Sequence, residues 1–348
     1  MLCALIMAGG SGQRFWPLST EERPKQLLNL FSDKSMIRET VDRILPLIPA
    51  ERIFIGTNKK QVEGIKAELP MIGEENIIIE PAFKDTAAAI GYGTLYIKHR
   101  FEDACITVLA SDHLIKDEDN FRKILVKATD EAVSNNTIVT LGIKPKSPET
   151  GYGYIETERN CKLEDVYPVE RFWEKPNRER AENYIASGNF LWNSGMFIFK
   201  ASTILEEIER YMPRHHLVLE DLKVLINKGI IKEELSAAVA NDFERFQKIS
   251  IDFGIMERSI KIKVIPSDFG WNDIGSFLAL EEYFGANENG TVVKDSALKE
   301  LNSKNNIIVG TGNTIATIGV ENLVIVQTED KLLICAKDQV QDIKKVVC

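Results

Sequence analysis

The residues best suited to chemistry lie at the start of the chain. The apolar run Leu2-Cys3-Ala4-Leu5-Ile6-Met7-Ala8 ends in Gly9-Gly10-Ser11-Gly12, and the cations Arg14 and Lys25 follow, Lys25 between Pro24 and Gln26. Glycines after a buried strand bring the backbone close to a ligand with no Cβ atoms in the way, and N–H groups in such a turn bind anions. With Arg14 and Lys25 added, the pattern reads as a phosphate cradle; a glycine-rich turn that holds no ligand is the alternative. Two familiar cradles are excluded. The P-loop needs Lys and Ser/Thr after its last glycine, where Gln13 and Arg14 stand. The dinucleotide fingerprint needs a third glycine where Phe15 stands, which disfavours a nicotinamide dehydrogenase. Asp112, in Ser111-Asp112-His113, is the next candidate. It follows an apolar strand, and ligands of open α/β sheets bind outside the carboxyl ends of strands. A turn or N-cap aspartate is its other reading. The chain has four histidines, and none shows an acid–base partner in sequence.

These groups need a frame. Apolar runs at 2–8, 52–57, 76–80, 104–110 and 137–143 read as buried strands. Between them, 36–47, 59–69, 85–100 and 117–133 have helical spacing. This alternation predicts an α/β fold with a doubly wound, mostly parallel, Rossmann-like sheet. Helices are expected at 178–186, 201–211 and 216–228 and in the region up to 246, with a strand at 261–266. From residue 287 the long helices stop. Short β runs at 307–309, 314–318, 323–328 and 332–336 are punctuated by Gly310, Gly312, Gly319 and Asp330, and a short helix is expected at 339–347. We therefore expect a catalytic domain over 1–286 and a small all-β domain over 287–348, a short parallel β-helix.

Composition narrows the class. A 348-residue chain with 44% hydrophobic and 27% charged residues has the makeup of a globular enzyme. A formal charge of −9 argues against nucleic acid as a partner. No apolar run reaches the roughly 20 residues of a membrane span, and the first run lacks the cationic flank of a signal peptide. The five cysteines form no C-x-x-C pair, which suggests neither zinc nor a disulfide framework. Cys3, Cys105 and Cys335 lie in apolar runs and read as reduced core residues, consistent with a cytoplasmic protein. A β-rich tail suits a homodimer.

Six motifs then carry a resemblance that covers nearly the whole chain. Ala8-Gly9-Gly10-Ser11-Gly12-Gln13-Arg14-Phe15-Trp16-Pro17-Leu18-Ser19 with Pro24-Lys25-Gln26 resembles the signature of sugar-nucleotide pyrophosphorylases. The Phe-Trp-Pro-Leu-Ser form resembles the mannose-1-phosphate guanylyltransferase family in particular. Leu109-Ala110-Ser111-Asp112-His113 departs mildly from that family's Pro-Ala-Asp-His and keeps its Asp. Gly151-Tyr152-Gly153-Tyr154-Ile155-Glu156, Phe172-Trp173-Glu174-Lys175-Pro176, Trp192-Asn193-Ser194-Gly195 and Trp271-Asn272-Asp273-Ile274-Gly275 follow in the family's order. Ser250-Ile251-Asp252 to Glu257 resembles a family helix, and Ile318 to Leu323 resembles the tail of bacterial members. The length leaves no room for the isomerase domain that some of them add.

The resemblance implies that GTP and mannose 1-phosphate give GDP-mannose and pyrophosphate. It implies that Ala8, Gly9, Gly10 and Gly12 receive the nucleotide and that Arg14 and Lys25 neutralise its phosphates. It further implies that Asp112 and Asp273 hold Mg2+ and that Lys175 holds the sugar phosphate. Glu174, Asn193 and the Gly153 backbone hold the sugar. Guanine donates from N1 and N2, so Glu80, or the Asp85–Thr86 region, is expected to accept from it. A phosphate monoester is largely a dianion at neutral pH, so such an enzyme needs positive charge and positioning more than a general base. A pyrophosphorylase for another sugar and nucleotide, or a non-catalytic binder of sugar nucleotides, are the competing readings.

Overall fold

The computed structural model describes residues 1–10, 12–158, 161–227 and 235–347. Ser11, Lys228 and Cys348 lie outside the described residues. The first half alternates β1 (Leu2–Met7), α1 (Met36–Ile44), β2 (Ile53–Asn58), α2 (Val62–Glu68), β3 (Ile77–Glu80), α3 (Asp85–Arg100), β4 (Cys105–Ala110), α4 (Glu118–Asn135) and β5 (Ile138–Ile143). There follow β6 (Tyr154–Glu156), β7 (Tyr167–Pro168), β8 (Arg171–Trp173), α5 (Arg178–Ser187), β9 (Phe190–Lys200), α6 (Ala201–Tyr211), α7 (Pro213–Asn227), α8 (Leu235–Glu244), β10 (Ile262–Ser267) and α9 (Ala279–Phe284). The sheet runs β3-β2-β1-β4-β9-β5-β10-β7, with β6 and β8 alongside β9.

The sheet is mostly parallel, as the alternation predicts. Its central interruption is β9, which runs antiparallel between β4 and β5, and β7 is antiparallel at the edge beside β10. Strand order reverses beside β1: β2 pairs on one side and β4 on the other, both parallel. That switch point opens a crevice at the carboxyl ends, where the Gly9-Gly10 turn and Asp112 emerge. Both faces are apolar. Cys3, Leu5, Phe54 and Ile106 pack under α3, α6 and α7. Ala4, Ile6, Ile53, Ile55 and Leu109 pack under α1, α2 and α4. Sequence sets the helix ends. Ser35 and Asn177 cap the starts of α1 and α5 with side-chain oxygens, and α5 stops at Gly188 with φ 75°.

Several boundaries differ from the spacing. The helix expected from 59 begins at Val62, because Asn58 holds the Lys60 N–H in a turn (3.0 Å). The stretch Ser250 to Glu257, which resembles a family helix, forms a short π-helix, Asp252–Met256.

The tail contains β11 (Val292–Lys294), β12 (Ala297–Leu301), β13 (Ile307–Val309), β14 (Thr314–Ile318), β15 (Leu323–Gln327), β16 (Leu332–Ala336) and the short α10 (Lys344–Val347). β11, β13 and β15 stack in parallel, as do β12 and β14, so successive turns of chain form a small β-helix. The sequence pattern misses β11 and β12, whose Val-Val-Lys and Ala-Leu-Lys-Glu-Leu lack the continuous apolar runs of the strands that it finds. Cys3 and Cys105 are buried, but Cys335 is only partly so: it lies with Leu333 on the inward side of β16, at the margin of the tail's apolar cluster, while Leu332 and Ile334 face away. A third apolar cluster joins this tail to the crevice: Phe15, Leu28 and Phe277 pack with Val309, Val324 and Val340.

Candidate active site

The glycine turn leaves β1 and is stitched to its neighbours by amides. Gln26 Nε2 lies 2.9 Å from the Ala8 carbonyl and 3.2 Å from that of Gly10, and Gln61 Nε2 donates to Gly10 as well (3.1 Å). With those carbonyls held, the opposite side of the turn is free to face a ligand. Gly12 has φ 59°, and a Cβ there would lie 2.5 Å from Lys25 Cβ. The turn must therefore be glycine for Lys25 to reach the crevice.

Lys25 is 6% exposed. Its ammonium donates to Asp112 Oδ2 at 2.9 Å and to the Asp273 carbonyl at 2.8 Å. Burial works against the charge of Asp112, but the Lys25 ammonium beside it outweighs that cost and holds Asp112 below the usual carboxylate range. Arg14 Nη1 is 3.6 Å from where a Gly275 Cβ would stand, and the Asp273 carboxylate oxygens are 3.5 Å from the same point. Arg14, Lys25, Asp112 and Asp273 thus meet at one place although they are far apart in sequence. The Trp271 indole donates to His113 Nδ1 (3.1 Å), so His113 orders this loop with its own proton on Nε2.

The sugar-side residues form a second group. A Cβ on Gly153 would lie 2.7 Å from Glu174 Oε2 and 3.3 Å from Asn193 Cβ. Asn193 Oδ1 accepts from the Thr140 hydroxyl (3.2 Å) and the Gly195 N–H (3.1 Å), which turns Nδ2 toward Asp252 Oδ1 (3.0 Å). Lys175, at φ 45°, pairs with Glu174 Oε1 at 2.6 Å. Asp252 is the residue that the sequence reading leaves without a role. Burial, then the facing Glu174 carboxylate, push its pKa up to about 7. Its visible signals in the sequence are a carboxyl set among Ile251, Phe253 and Ile255 and its place in the Ser250 to Glu257 motif.

On the other side of the glycine turn a cavity of about 510 Å³ is lined by Gly9, Asn58, Gln61, Glu80, Pro81 and Phe83, among others. Glu80 Oε1 lies 3.9 Å from where a Gly9 Cβ would be. Burial pushes the pKa of Glu80 up to about 7. Asp85 and Thr86 are engaged elsewhere. The Thr86 N–H donates to Asp85 Oδ1 (2.8 Å), and Thr86 Oγ1 accepts from the Ile251 N–H (2.9 Å). Asp85 adds negative charge near Lys175.

Among the described residues no group of three His, Cys, Asp or Glu side chains could hold a metal. Asp112 and Asp273 are two hard oxygen donors beside a phosphate-binding turn. That set suits Mg2+, which takes one or two carboxylates and fills its shell with phosphate oxygens and water.

A crevice at a switch point, with a glycine turn, two cations and two carboxylates, defines a nucleotidyltransferase, and the nucleotidyl transferase family model matches residues 3–290. A second model, described as a MannoseP isomerase/GMP-like beta-helix domain, matches residues 299–348. The mannose-1-phosphate guanylyltransferase of Klebsiella pneumoniae is 38% identical over 353 residues, 100% of this chain and 73% of that protein. That of Escherichia coli (strain K12) is 38% identical over 355 residues, 99% of this chain and 73% of the other. A crystal structure from Thermus thermophilus, described as a mannose-1-phosphate geranyltransferase, superposes with a TM-score of 0.89 at 32% identity, covering 99% of this chain and 98% of that one. The chain belongs to the mannose-1-phosphate guanylyltransferase family.

Proposed function

We propose that the protein transfers guanylyl from GTP to mannose 1-phosphate, giving GDP-mannose and pyrophosphate. The observation that carries this reading is Lys25, buried under Gly12 and shared between Asp112 and the Asp273 backbone, with Arg14 at the same mouth. An oxygen of the sugar phosphate attacks the α-phosphorus, the bond from that phosphorus to the β-phosphate's bridging oxygen breaks, and pyrophosphate carries the electron pair away. Arg14 and Lys25 neutralise the triphosphate and the charge that builds on the leaving group. Lys175, now paired with Glu174, turns to the sugar phosphate, while Glu174, Asn193 and the Gly153 backbone hold the hexose. Ala8, Gly9, Gly10 and Gly12 hold the nucleotide backbone, and Glu80 accepts from guanine N1–H and N2–H₂. Asp85 and Thr86 act at the rim, Asp85 through its field on Lys175. Asp112 and Asp273 hold Mg2+, which, when bound, supplies charge neutralisation between the two phosphorylated substrates.

We further propose that residues 1–286 form the catalytic unit and 287–348 the β unit, and that the protein is a cytoplasmic homodimer. No helix of the described residues is long and apolar enough to cross a membrane. Light scattering at a known concentration tests the dimer.

Pyrophosphate release from a panel of nucleoside triphosphates and sugar 1-phosphates tests the activity. Turnover should be highest with GTP and mannose 1-phosphate. Preference for another pair, or tight GDP-mannose binding without turnover, refutes it. Lys25→Ala is expected to lower kcat by ~10²-fold, the usual loss when one transition-state donor is removed.

A further inference from the structure

Asp273 is fixed in an uneven way. Its carbonyl accepts from Lys25 at 2.8 Å, and the next residue, Ile274 at φ 51°, donates its N–H to Asn272 Oδ1 at 2.8 Å. Its backbone is therefore pinned on both sides. Its carboxylate, among the described residues, receives one hydrogen bond, from the Tyr152 hydroxyl to Oδ1 at 2.6 Å. Tyr152 itself is wedged edge-on between Trp192, with ring centroids 5.1 Å apart, and Trp271, 5.4 Å away. Trp192 precedes Asn193, and Tyr152 precedes Gly153, so the phenol stands between the sugar-side group and the Asp112–Asp273 mouth.

We propose that Tyr152 is a positioning residue for the divalent-cation site: its hydroxyl holds the Asp273 carboxylate in one rotamer, with Oδ2 left for the ion. The inference rests on the reading of Asp112 and Asp273 as the metal carboxylates. The phenol is suited to the part. A tyrosine hydroxyl keeps its proton at neutral pH, and Asp273 Oδ1 lies within its reach. A hydroxyl donating to a carboxylate makes a short, charge-assisted bond. Partners of metal-binding carboxylates of this kind change affinity by about 10- to 100-fold when removed.

The test is a titration of the full-length protein, with GTP present, by Mn2+, following free Mn2+ by electron paramagnetic resonance. Tyr152→Phe keeps the ring between the two indoles and removes only the hydroxyl. It should fold with an unchanged melting temperature and bind Mn2+ about tenfold more weakly. Trp192→Phe is the packing control: it loosens the wedge, keeps the hydroxyl, and should leave Mn2+ affinity at the wild-type value. Asp273→Asn should weaken Mn2+ at least as much as Tyr152→Phe. If Asp273→Asn weakens the ion while Tyr152→Phe stays within twofold of wild type, Tyr152 only packs and the inference is wrong. Equal losses in Trp192→Phe and Tyr152→Phe overturn it too. If Asp273→Asn binds Mn2+ normally, the metal reading itself fails and takes this inference with it.

Discussion

Glu80 shows what a binding residue costs a protein without its ligand. Its pKa of about 7 in the fold stands against an ordinary value of 4.5. The native state therefore holds this proton over a window in which the unfolded chain has released it. The stabilisation is complete below about pH 4.5 and is lost as pH rises through 7. Glu80→Gln removes the penalty, so its melting temperature at pH 8 should exceed that of wild type, with no such gain at pH 4. Guanine needs the ionised carboxylate, so the KM of wild type for GTP should fall from pH 6 to pH 8. In Glu80→Gln that slope should vanish and KM should rise by about 10-fold or more, the value of hydrogen bonds to a charged acceptor. A wild-type KM that is flat across this range removes Glu80 from the base pocket. Which residues the fold gathers was legible where a motif is contiguous, as in Gly9 to Lys25 or Glu174-Lys175. Asp252 and Tyr152 were not, since their partners Asn193 and Asp273 lie 59 and 121 positions away and no periodicity links them.

Elements were legible where punctuation is local. α3 and β4 start within a residue of their expected places, because α3 is alanine-rich and β4 is a plain apolar run. Pro46 has no N–H to carry the ladder on past Leu45, which still has helical backbone, and so helps to end α1. What spacing could not reveal was the direction of β9. Its pattern is that of any buried strand, and only the tertiary partners make it antiparallel. The glycine turn illustrates how an element and a residue depend on each other. Gly12→Ala places a Cβ 2.5 Å from Lys25 Cβ and 2.6 Å from its backbone nitrogen, at φ 59°. The left-handed backbone alone costs about 1–2 kcal/mol, and relief of the clash must move Lys25. We expect a lower melting temperature and a kcat/KM down by ~10²-fold, as in Lys25→Ala. Gly10→Ala meets nothing within 4 Å. It should melt as wild type does, so a raised KM for GTP in that variant reports contact with the nucleotide. If both variants melt and turn over alike, the turn is not shaped around Lys25.

At the scale of the molecule, the β-helix is a wall of the active site as well as a tail. Its apolar face shares one cluster with Phe15, and Phe15 follows Arg14 directly. Gln341, near the end of the chain, has its Oε1 3.4 Å from Arg14 Nη1. Phe277, four residues beyond Asp273, packs against Phe15 with ring centroids 5.0 Å apart. The tail therefore braces both sides of the mouth through apolar packing, which tolerates no unpaired charge. Val324 is fully buried in this cluster. Val324→Asp should cost about 3–5 kcal/mol, the scale of a buried charge left without a partner, and should lower turnover along with the melting temperature. Ile334, 61% exposed on the neighbouring strand β16, supplies the comparison. Ile334→Ala should change neither quantity. A Val324→Asp protein that melts early yet, well below its melting point, turns over GTP and mannose 1-phosphate at the wild-type rate would mean that the tail stabilises the chain without shaping the site. Loss of turnover at temperatures where the variant is still folded would mean that packing on Phe15 sets where Arg14 stands.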